Sequence, residues 1–516
     1  MSLGTALDRI IAAVAPEAGL RRAAARLRLA AAAAATMHYE GAARGRRTDG
    51  WRAVPTDAPG AQRGQLARLR SVAADLVRND AWARRGIDVL VNNVVGPGIV
   101  ASVDPASGTA PARKRAEAIV AEHFGTSAID ADGRHDLAGL QRLMMGGIAA
   151  SGEVILRKRA RRLSDGLPVP LQVQVLEPDY LDESKGGPTE GGGTIVQGVE
   201  FDALGRRAAY WLFDQHPGSL SRWSRYTSRR IPADYVAHVY REDHRASQVR
   251  GVPWLTPVVV RLQDLHEFED YQLIRQKVAA CLAAFVHDPQ GVGALPLGAA
   301  GPSDAATGLE EDQLAPGMIV NLPNGKQVTF SSPPSLGGQT DYVDGHLRAV
   351  AVALGITFEA LTGNLSNVNF SSGRMGWLEM ARAIDAARWG MLIPQGIDRI
   401  GRWVIEAASI AEPQLARVRL SWTPPRRDMI APEKEIPALR DAVLAGFTSR
   451  TAVVREMGED PDAVLAEIAA EQKAADAAGV RLASDLRWQK SGATAAADPN
   501  PAADPPAPGA ARAADK

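Results

Sequence analysis

The sequence predicts an α+β fold in which helices surround a smaller, mostly antiparallel β region. Apolar residues recur at helical spacing over most of the 516 positions. From Glu153 to about residue 241 the spacing changes to the alternation that is typical of strands, and glycine-rich turns separate the alternating segments. A chain of this length is expected to form two or three domains.

The composition excludes several classes of protein. Lys plus Arg and Asp plus Glu each number 59, so the chain as a whole is not a polycation built for nucleic acid. Cys281 is the only cysteine, which excludes an intrachain disulfide and cysteine-based zinc or iron–sulfur sites. No apolar run is long enough for a transmembrane helix, so we expect no contact with a membrane.

The N-terminal half contains several predicted elements. Residues 1–36 form an amphipathic helical segment, since Arg26 and Arg28 interrupt a run that would otherwise mimic a signal peptide. An extended arm follows, because Gly, Pro and Asp recur there at turn-like intervals. Helices are expected around residues 62–93, 112–124 and 136–150, and strands at residues 154–159, 171–176, 194–201, 208–213 and 234–241.

A long helix is predicted from about Thr256 to about Val286. Thr256 is the expected N-cap, and Pro257 would occupy the first helical position. Some thirty helical residues would span about 45 Å, which exceeds the radius of a small domain. The middle of this helix carries an acidic band formed by Asp264, Glu267, Glu269 and Asp270.

The C-terminal half continues the helical pattern. Residues 288–337 are rich in Gly, Pro and Ala, with strand candidates at GMIVNL and KQVTF, and a second helix is expected around 340–355. The uncharged stretch TGNLSNVNF then leads to a third helix, which Ser371 or Ser372 would cap. Pro394 predicts a kink in that helix. The next expected helices lie within 434–488, and the Pro- and Ala-rich end is expected to be disordered.

No complete catalytic motif is present. NLPNGKQ has Gly-Lys but lacks the first glycine and the hydroxyl residue of a phosphate loop, and HEFED lacks the second histidine of a zinc protease. Glu177, Asp179 and Asp182 form a carboxylate cluster that could bind a metal or act as acid and base, although Pro-Asp is common in turns. The sequence therefore favours a protein that is not an enzyme.

Five strings, quoted in chain order, resemble the portal protein of tailed bacteriophages, in the lambda-like branch. They are YEGAARGRRTDGW, LVRNDAWARRGIDVLVNNVVGPGI, LPVPLQVQVLEPDYLD, VRGVPWLTPVVVRLQDLHEFEDYQLIRQKVAACLAAFV and ALGITFEALTGNLSNVNFSSGRMGWLE. The resemblance covers about residues 39–480. It implies a ring, commonly of twelve subunits, at one capsid vertex, through which double-stranded DNA is packaged and later ejected.

The resemblance also implies a division of the chain into the parts of a portal fold, which has an α/β wing, long stem helices, a small β-containing clip and a helical crown. The expected parts are the N-terminal segment (1–36), wing (37–254), first stem helix (255–287), clip (288–337), second stem helix (338–355), tunnel loop (356–372), kinked helix and return to the wing (373–430), crown (431–488) and disordered tail (489–516).

The resemblance further implies which residues and partners would serve the function. The tunnel loop would face DNA, and the acidic band would line the channel so that like charge keeps DNA from binding. The expected partners are other copies of the chain, the terminase large subunit, which would hydrolyse ATP and cut DNA, the major capsid protein and head–tail connector proteins. The DNA-facing residues would be Asn364, Leu365, Ser366, Asn367, Val368 and Asn369.

The protein is expected in the virion, after assembly in the cytoplasm of a host bacterium. No cofactor, metal or catalytic residue is expected. Two alternatives stay open from the sequence. One is a metal-dependent nuclease or hydrolase that uses Glu177, Asp179 and Asp182, and the other is an oligomeric scaffold without a channel.

Overall fold

The computed structural model describes residues 13–35, 46, 49–50, 55–219, 227–242, 245–280, 284–287, 327–330, 338–426 and 429–482. The described part of the chain contains both helices and sheets, which confirms the mixed helix and sheet character of the predicted fold class. The chain divides into a first unit, Met1–Asp57, and a second unit, Ala58–Lys516. The predicted strand GMIVNL and the predicted disordered tail lie outside the described residues.

Helices make up most of the described structure. The first unit contains Pro16–Ala35 (α1), which agrees with the helical segment expected there. Asp80 separates the helix Leu66–Asn79 from the helix Ala81–Val94, because its backbone is extended and its carboxylate accepts from the Ala83 N–H as an N-cap. The helices of the second unit are Ala58–Gln62 (α2), Leu66–Asn79 (α3), Ala81–Val94 (α4), Ala110–Phe124 (α5), Leu137–Ser151 (α6), Val259–Ala280 (α7), Gln339–Leu354 (α8), Phe358–Thr362 (α9), Phe370–Ala387 (α10), Asp398–Ala411 (α11), Pro432–Leu444 (α12), Arg450–Glu456 (α13) and Pro461–Ala478 (α14).

The strands pair antiparallel in every ladder between the described strands. The strands are Val100–Val103 (β1), Glu153–Ala160 (β2), Leu171–Leu176 (β3), Gly187–Pro188 (β4), Thr194–Val196 (β5), Val199–Phe201 (β6), Arg207–Phe213 (β7), Ser228–Pro232 (β8), Val236–Tyr240 (β9), Ala284–His287 (β10), Gln327–Phe330 (β11) and Leu420–Thr423 (β12). They form a three-stranded sheet in the order β3-β2-β9, a five-stranded sheet from β4 to β8, and two ribbons, β1-β12 and β10-β11.

The two larger sheets share a hydrophobic cluster. Ile155 and Leu176 of the three-stranded sheet pack with Val199, Tyr210 and Leu212 of the five-stranded sheet. Alternation places these residues on one face of each strand. The opposite face of the three-stranded sheet joins the main core, which also includes buried residues of α4, α6, α8 and α11.

Two features of the predicted first long helix are wrong. The helix ends at Ala280, and Ala284–His287 is a strand that pairs with Gln327–Phe330. In the sequence, apolar residues recur at helical spacing up to Val286, which is past the end of the helix. At the other end, Thr256 is not an N-cap, because Thr256–Val258 forms a 3₁₀ turn that continues directly into α7. The distant pairing explains the first error, because the pattern KQVTF predicted the strand Gln327–Phe330 but not its pairing with Ala284–His287.

Pro394 lies in a π-helical segment, Arg388–Ile397, that joins α10 to α11. The sequence predicted a kink at this proline, and the structure places a change in the helical hydrogen-bonding pattern there. Proline lacks an N–H, so it cannot continue the regular ladder. Such π-helical turns are rare and often occur at functional positions.

Candidate functional site

The predicted tunnel loop, 356–372, is partly helical. Phe358–Thr362 forms α9, and the exposed connection is restricted to residues 363–369. Its first end is anchored, because Leu361 is buried and the Arg85 Nε donates to the Ala360 carbonyl at 3.2 Å. No charged residue occurs between Glu359 and Arg374, so the connection itself is uncharged.

Asn369 anchors the second end of the connection. Its side-chain oxygen accepts from the Ser372 N–H at 2.8 Å, and the Ser372 hydroxyl accepts from the Asn369 N–H at 3.1 Å. This reciprocal pair is a capping box at the start of α10. The expected cap at Ser371 or Ser372 is therefore wrong by a few residues, since Ser372 is already the third residue of the helix.

The other polar side chains of the connection differ in their freedom. The Asn364 side-chain oxygen accepts from both the backbone N–H and the hydroxyl of Ser366, at 3.0 and 2.7 Å. Asn367 is exposed, and no hydrogen bond of its side chain occurs among the described residues. Leu365 is 66% exposed, while Val368 is half-buried. Asn367 therefore offers a polar side chain that the local fold does not use.

The acidic band lies on the exposed surface of α7. Asp264, Glu267, Glu269 and Asp270 are all exposed. The described residues contain no arginine or lysine that forms an ion pair with any of them, although the His266 Nε2 lies 3.8 Å from the Asp270 Oδ2. Partial burial raises the pKa of Glu269, and the nearby Asp80 carboxylate raises it further. The band thus keeps most of its negative charge unpaired.

One side of α7 packs on the core, and its exposed side carries apolar residues interleaved at i+3 and i+4 spacing with carboxylates of the acidic band. Leu262 and Leu265 are buried, and the Phe268 ring lies 4.5 Å from the Tyr342 ring of α8, centroid to centroid. The exposed apolar surface of α7 is formed by Val260, Tyr271, Leu273 and Ile274, each at least half exposed. Such a surface on one chain is typical of a contact with another.

The three carboxylates of the nuclease alternative do not form one site. Asp182 is buried and accepts from the hydroxyls of Ser184 and Ser228, both at 2.5 Å. Glu177 and Asp179 instead lie near His216, with potential ligand atoms within 4.8 Å of one another. The Arg70 guanidinium is 3.0 Å from Asp179, which disfavours a cation there.

Sequence reasoning missed a buried charge cluster between the two larger sheets. Glu153, His238 and Arg250 are all almost completely buried. The Glu153 carboxylate accepts from the Arg250 Nε at 2.8 Å, from the Gly251 N–H at 2.7 Å and bonds the His238 Nε2 at 2.8 Å. Burial alone would raise the pKa of Glu153, but Arg250 and His238 hold it well below its usual range.

This cluster has a structural role. Glu153 and His238 lie on β2 and β9, while Arg250 belongs to the segment that leads from β9 towards α7. Arg250 also donates at 3.2 Å to the carbonyl of Gln197, in the turn that joins β5 to β6 of the five-stranded sheet. The sequence signal for this cluster was a Glu at the start of an apolar strand, but Arg250, which pairs with that Glu, lies 97 positions away in the chain.

Comparison with known proteins adds a family to these observations. The model of the family described as "Phage portal protein, lambda family" matches residues 44–388. A probable portal protein of Halomonas phage phiHAP-1 is 28% identical over 428 residues, which cover 78% of this chain and 79% of the relative.

Solved structures are also similar over much of their length. A chain of a native gene transfer agent virion matches with a TM-score of 0.44 and 14% identity, covering 77% of this chain and 94% of that chain. An HK97-family phage portal protein from Corynebacterium diphtheriae matches with a TM-score of 0.29 and 10% identity, covering 72% and 97%. None of the described helices is long and apolar enough to cross a membrane.

Proposed function

We propose, since this chain belongs to the lambda family of phage portal proteins, that its copies close into a ring at one capsid vertex and conduct double-stranded DNA into and out of the head. The family match over residues 44–388 is the observation that carries this proposal. The protein is accordingly a structural component of a phage-type particle. We infer that ATP hydrolysis and DNA cleavage belong to the terminase large subunit.

The exposed apolar surface of α7 supports the ring. Val260, Tyr271, Leu273 and Ile274 would lose contact with water against a neighbouring copy. In a cyclic ring each subunit uses two different surfaces, and the contact closes after a fixed number of copies. We propose twelve copies, with α7 and α8 as the stem helices and residues 288–337 as the clip.

The charge distribution supports the channel. The uncharged connection 363–369 and the unpaired acidic band on α7 both lack the cations that would hold DNA by its phosphates. Each neutralised phosphate adds salt-dependent affinity, which would slow the passage of DNA. We propose that these two regions face the channel. The wing contacts the capsid protein, α12–α14 face the head interior, and the clip binds the terminase and the connector.

The first experiment tests the ring. Native mass spectrometry and electron microscopy of the purified protein should show closed rings with a mass near twelve times the 54.8 kDa of one chain. Ile274→Glu should prevent ring formation while the chain stays folded, and Gln263→Glu, an exposed change on the same helix, should not. A monomer at every concentration would refute the proposed ring.

The second experiment tests the connection. Asn367 is the best position for a new charge, because Asn364 and Asn369 are needed for local hydrogen bonds. Asn367→Lys should leave ring assembly intact and slow DNA packaging, since twelve added cations would contact phosphates. Asn367→Gln is the matched control without charge. Equal packaging rates in both variants would show that the connection does not face DNA.

A further inference from the structure

A polar cavity of about 490 Å³ lies where β7 and β9 meet the π-helical segment. Its lining includes Arg207 from β7, Arg399 and Arg402 from α11, the Tyr240 phenol and the Gln395 amide. The cavity is separate from the connection 363–369 and from the acidic band on α7.

Arg207 carries a charge that the fold does not neutralise. Its Nη2 donates to the Tyr240 hydroxyl at 2.5 Å, and its guanidinium lies 5.4 Å from the centre of that ring. Arg207 is half-buried, and none of the carboxylates in the described part of the chain forms an ion pair with it. The nearby carboxylate of Glu153 is already occupied by Arg250, His238 and Gly251. A cation removed from water normally has an anionic partner.

Arg399 adds a second, weakly compensated charge. It is 27% exposed, and its Nη2 donates to the Ala233 carbonyl at 3.2 Å. The same nitrogen lies 3.6 Å from the Asp234 carboxylate, which is 94% exposed and remains largely hydrated. A hydrated partner at this distance compensates little charge.

Ion pairs involve the other two guanidinium groups of the lining, and Arg207 is the one without a carboxylate partner among the described residues. Asp234 and Glu242 are the carboxylates in its lining, against three guanidinium groups. Arg402 is 55% exposed and pairs with Asp398 at 3.2 Å, so it retains donors that face solvent. His238 also lines the cavity, but it is almost completely buried and bonded to Glu153, and burial lowers its pKa.

We propose that this cavity binds a phosphate group, with Arg207 as the principal donor and with Arg399 and Arg402 completing the site. Guanidinium groups match the geometry of phosphate oxygens and offer several parallel N–H donors. The Tyr240 hydroxyl already holds Arg207 in place, so little side-chain freedom is lost on binding. The phosphate is either inorganic phosphate or a phosphodiester of nucleic acid, and the two sources share this chemistry.

The test is a titration of the full-length protein with inorganic phosphate, followed by calorimetry at constant ionic strength. Arg207→Gln should weaken binding about tenfold or more, because it removes a charge-assisted hydrogen bond. Arg206→Gln is a matched control, since Arg206 is exposed, pairs with Asp202 and removes the same charge at the adjacent position. Glu242→Gln should tighten binding by a few-fold, because it removes a carboxylate from the lining.

A parallel titration with a short DNA duplex identifies the source. Binding of the duplex that depends on Arg207 but not on Arg206 would assign the site to nucleic acid, and binding of phosphate alone would assign it to the free ion. No Arg207-dependent heat with either probe overturns the proposal. If Arg207→Gln does not fold, Arg402→Gln and Glu242→Gln decide, and unchanged affinities in both overturn it.

Discussion

Replacing Glu153 by Gln tests whether the buried charge cluster holds the two larger sheets together. The substitution keeps the shape of the side chain but removes its charge and one acceptor. The Gln oxygen can still accept from Arg250, and its NH₂ group then faces the N–H of Gly251 or the ring of His238. Breaking a buried ion pair by removing one partner costs about 3–5 kcal/mol, so we expect a loss in this range.

The assay is hydrogen exchange of β2 and β9, whose opening free energy reports on the cluster. Wild type and variant must be compared at one protein concentration, because assembly itself stabilises the fold. Glu406→Gln is the control, since Glu406 is 65% exposed and its pair with Lys158 at 3.4 Å should contribute about 1 kcal/mol or less. Equal, small losses in the two variants would refute the reasoning.

The difference in stability between wild type and Glu153→Gln should depend on pH. The pKa of Glu153 is lower in the folded protein than its ordinary value of 4.5, so the unfolded chain binds the proton more tightly. The stabilisation is therefore complete above about pH 4.5 and is lost as the pH falls towards the folded value. The difference between wild type and Glu153→Gln should narrow below pH 4.5, and a constant difference would show that charge is not its source.

Three further predictions concern other positions. Burial lowers the pKa of His123 from 6.5 to about 4. The contribution of this residue to the free energy of unfolding should therefore fall by about 3 kcal/mol between pH 6.5 and pH 4, and His123→Leu should abolish that contribution. Asn369→Ala should cost about 1 kcal/mol in exchange measurements on the first turn of α10, and Asn369→Ser should restore most of it. Gly152→Ala should cost more than about 2 kcal/mol in thermal unfolding, because a Cβ there lies 2.4 Å from the Val252 backbone, whereas Gly205→Ala meets no atom within 4 Å.

Local sequence patterns predicted the strands best. The alternation in LQVQVL gives β3 with its observed bounds, and AAYWLF corresponds to β7 with one added residue. The segment TIVQGVEF was predicted as one extended stretch, and the structure shows two strands with a turn at Gln197 and Gly198. Both residues have positive φ, at 48° and 84°. Gly198 is a turn signal in the sequence, but the alternation of apolar residues on both sides of it favoured one continuous strand.

Features that depend on distant partners were not predictable. The end of α7 at Ala280 depends on the pairing of β10 with β11, and β1 and β12 were missed because each is short and pairs with a strand far away in the chain. The cap of α10 was misplaced since Asn and Ser both favour that position, and only the reciprocal bonds of Asn369 and Ser372 decide between them. For the candidate site, residue types indicated the connection and the acidic band, but not which side chains are free.

The ribbon of β1 and β12 has a consequence for the order in which the protein folds during synthesis. Beside this ribbon the Arg419 N–H donates to the Ser107 hydroxyl, and these two residues are 312 positions apart in the chain. Trp422 of β12 is buried, and its ring occupies the space beside Gly401. The ribosome must therefore release almost the entire described chain before the core beneath Trp422 can close. Until then the unpaired edge of β1 is exposed, so the nascent chain is most vulnerable to aggregation late in translation.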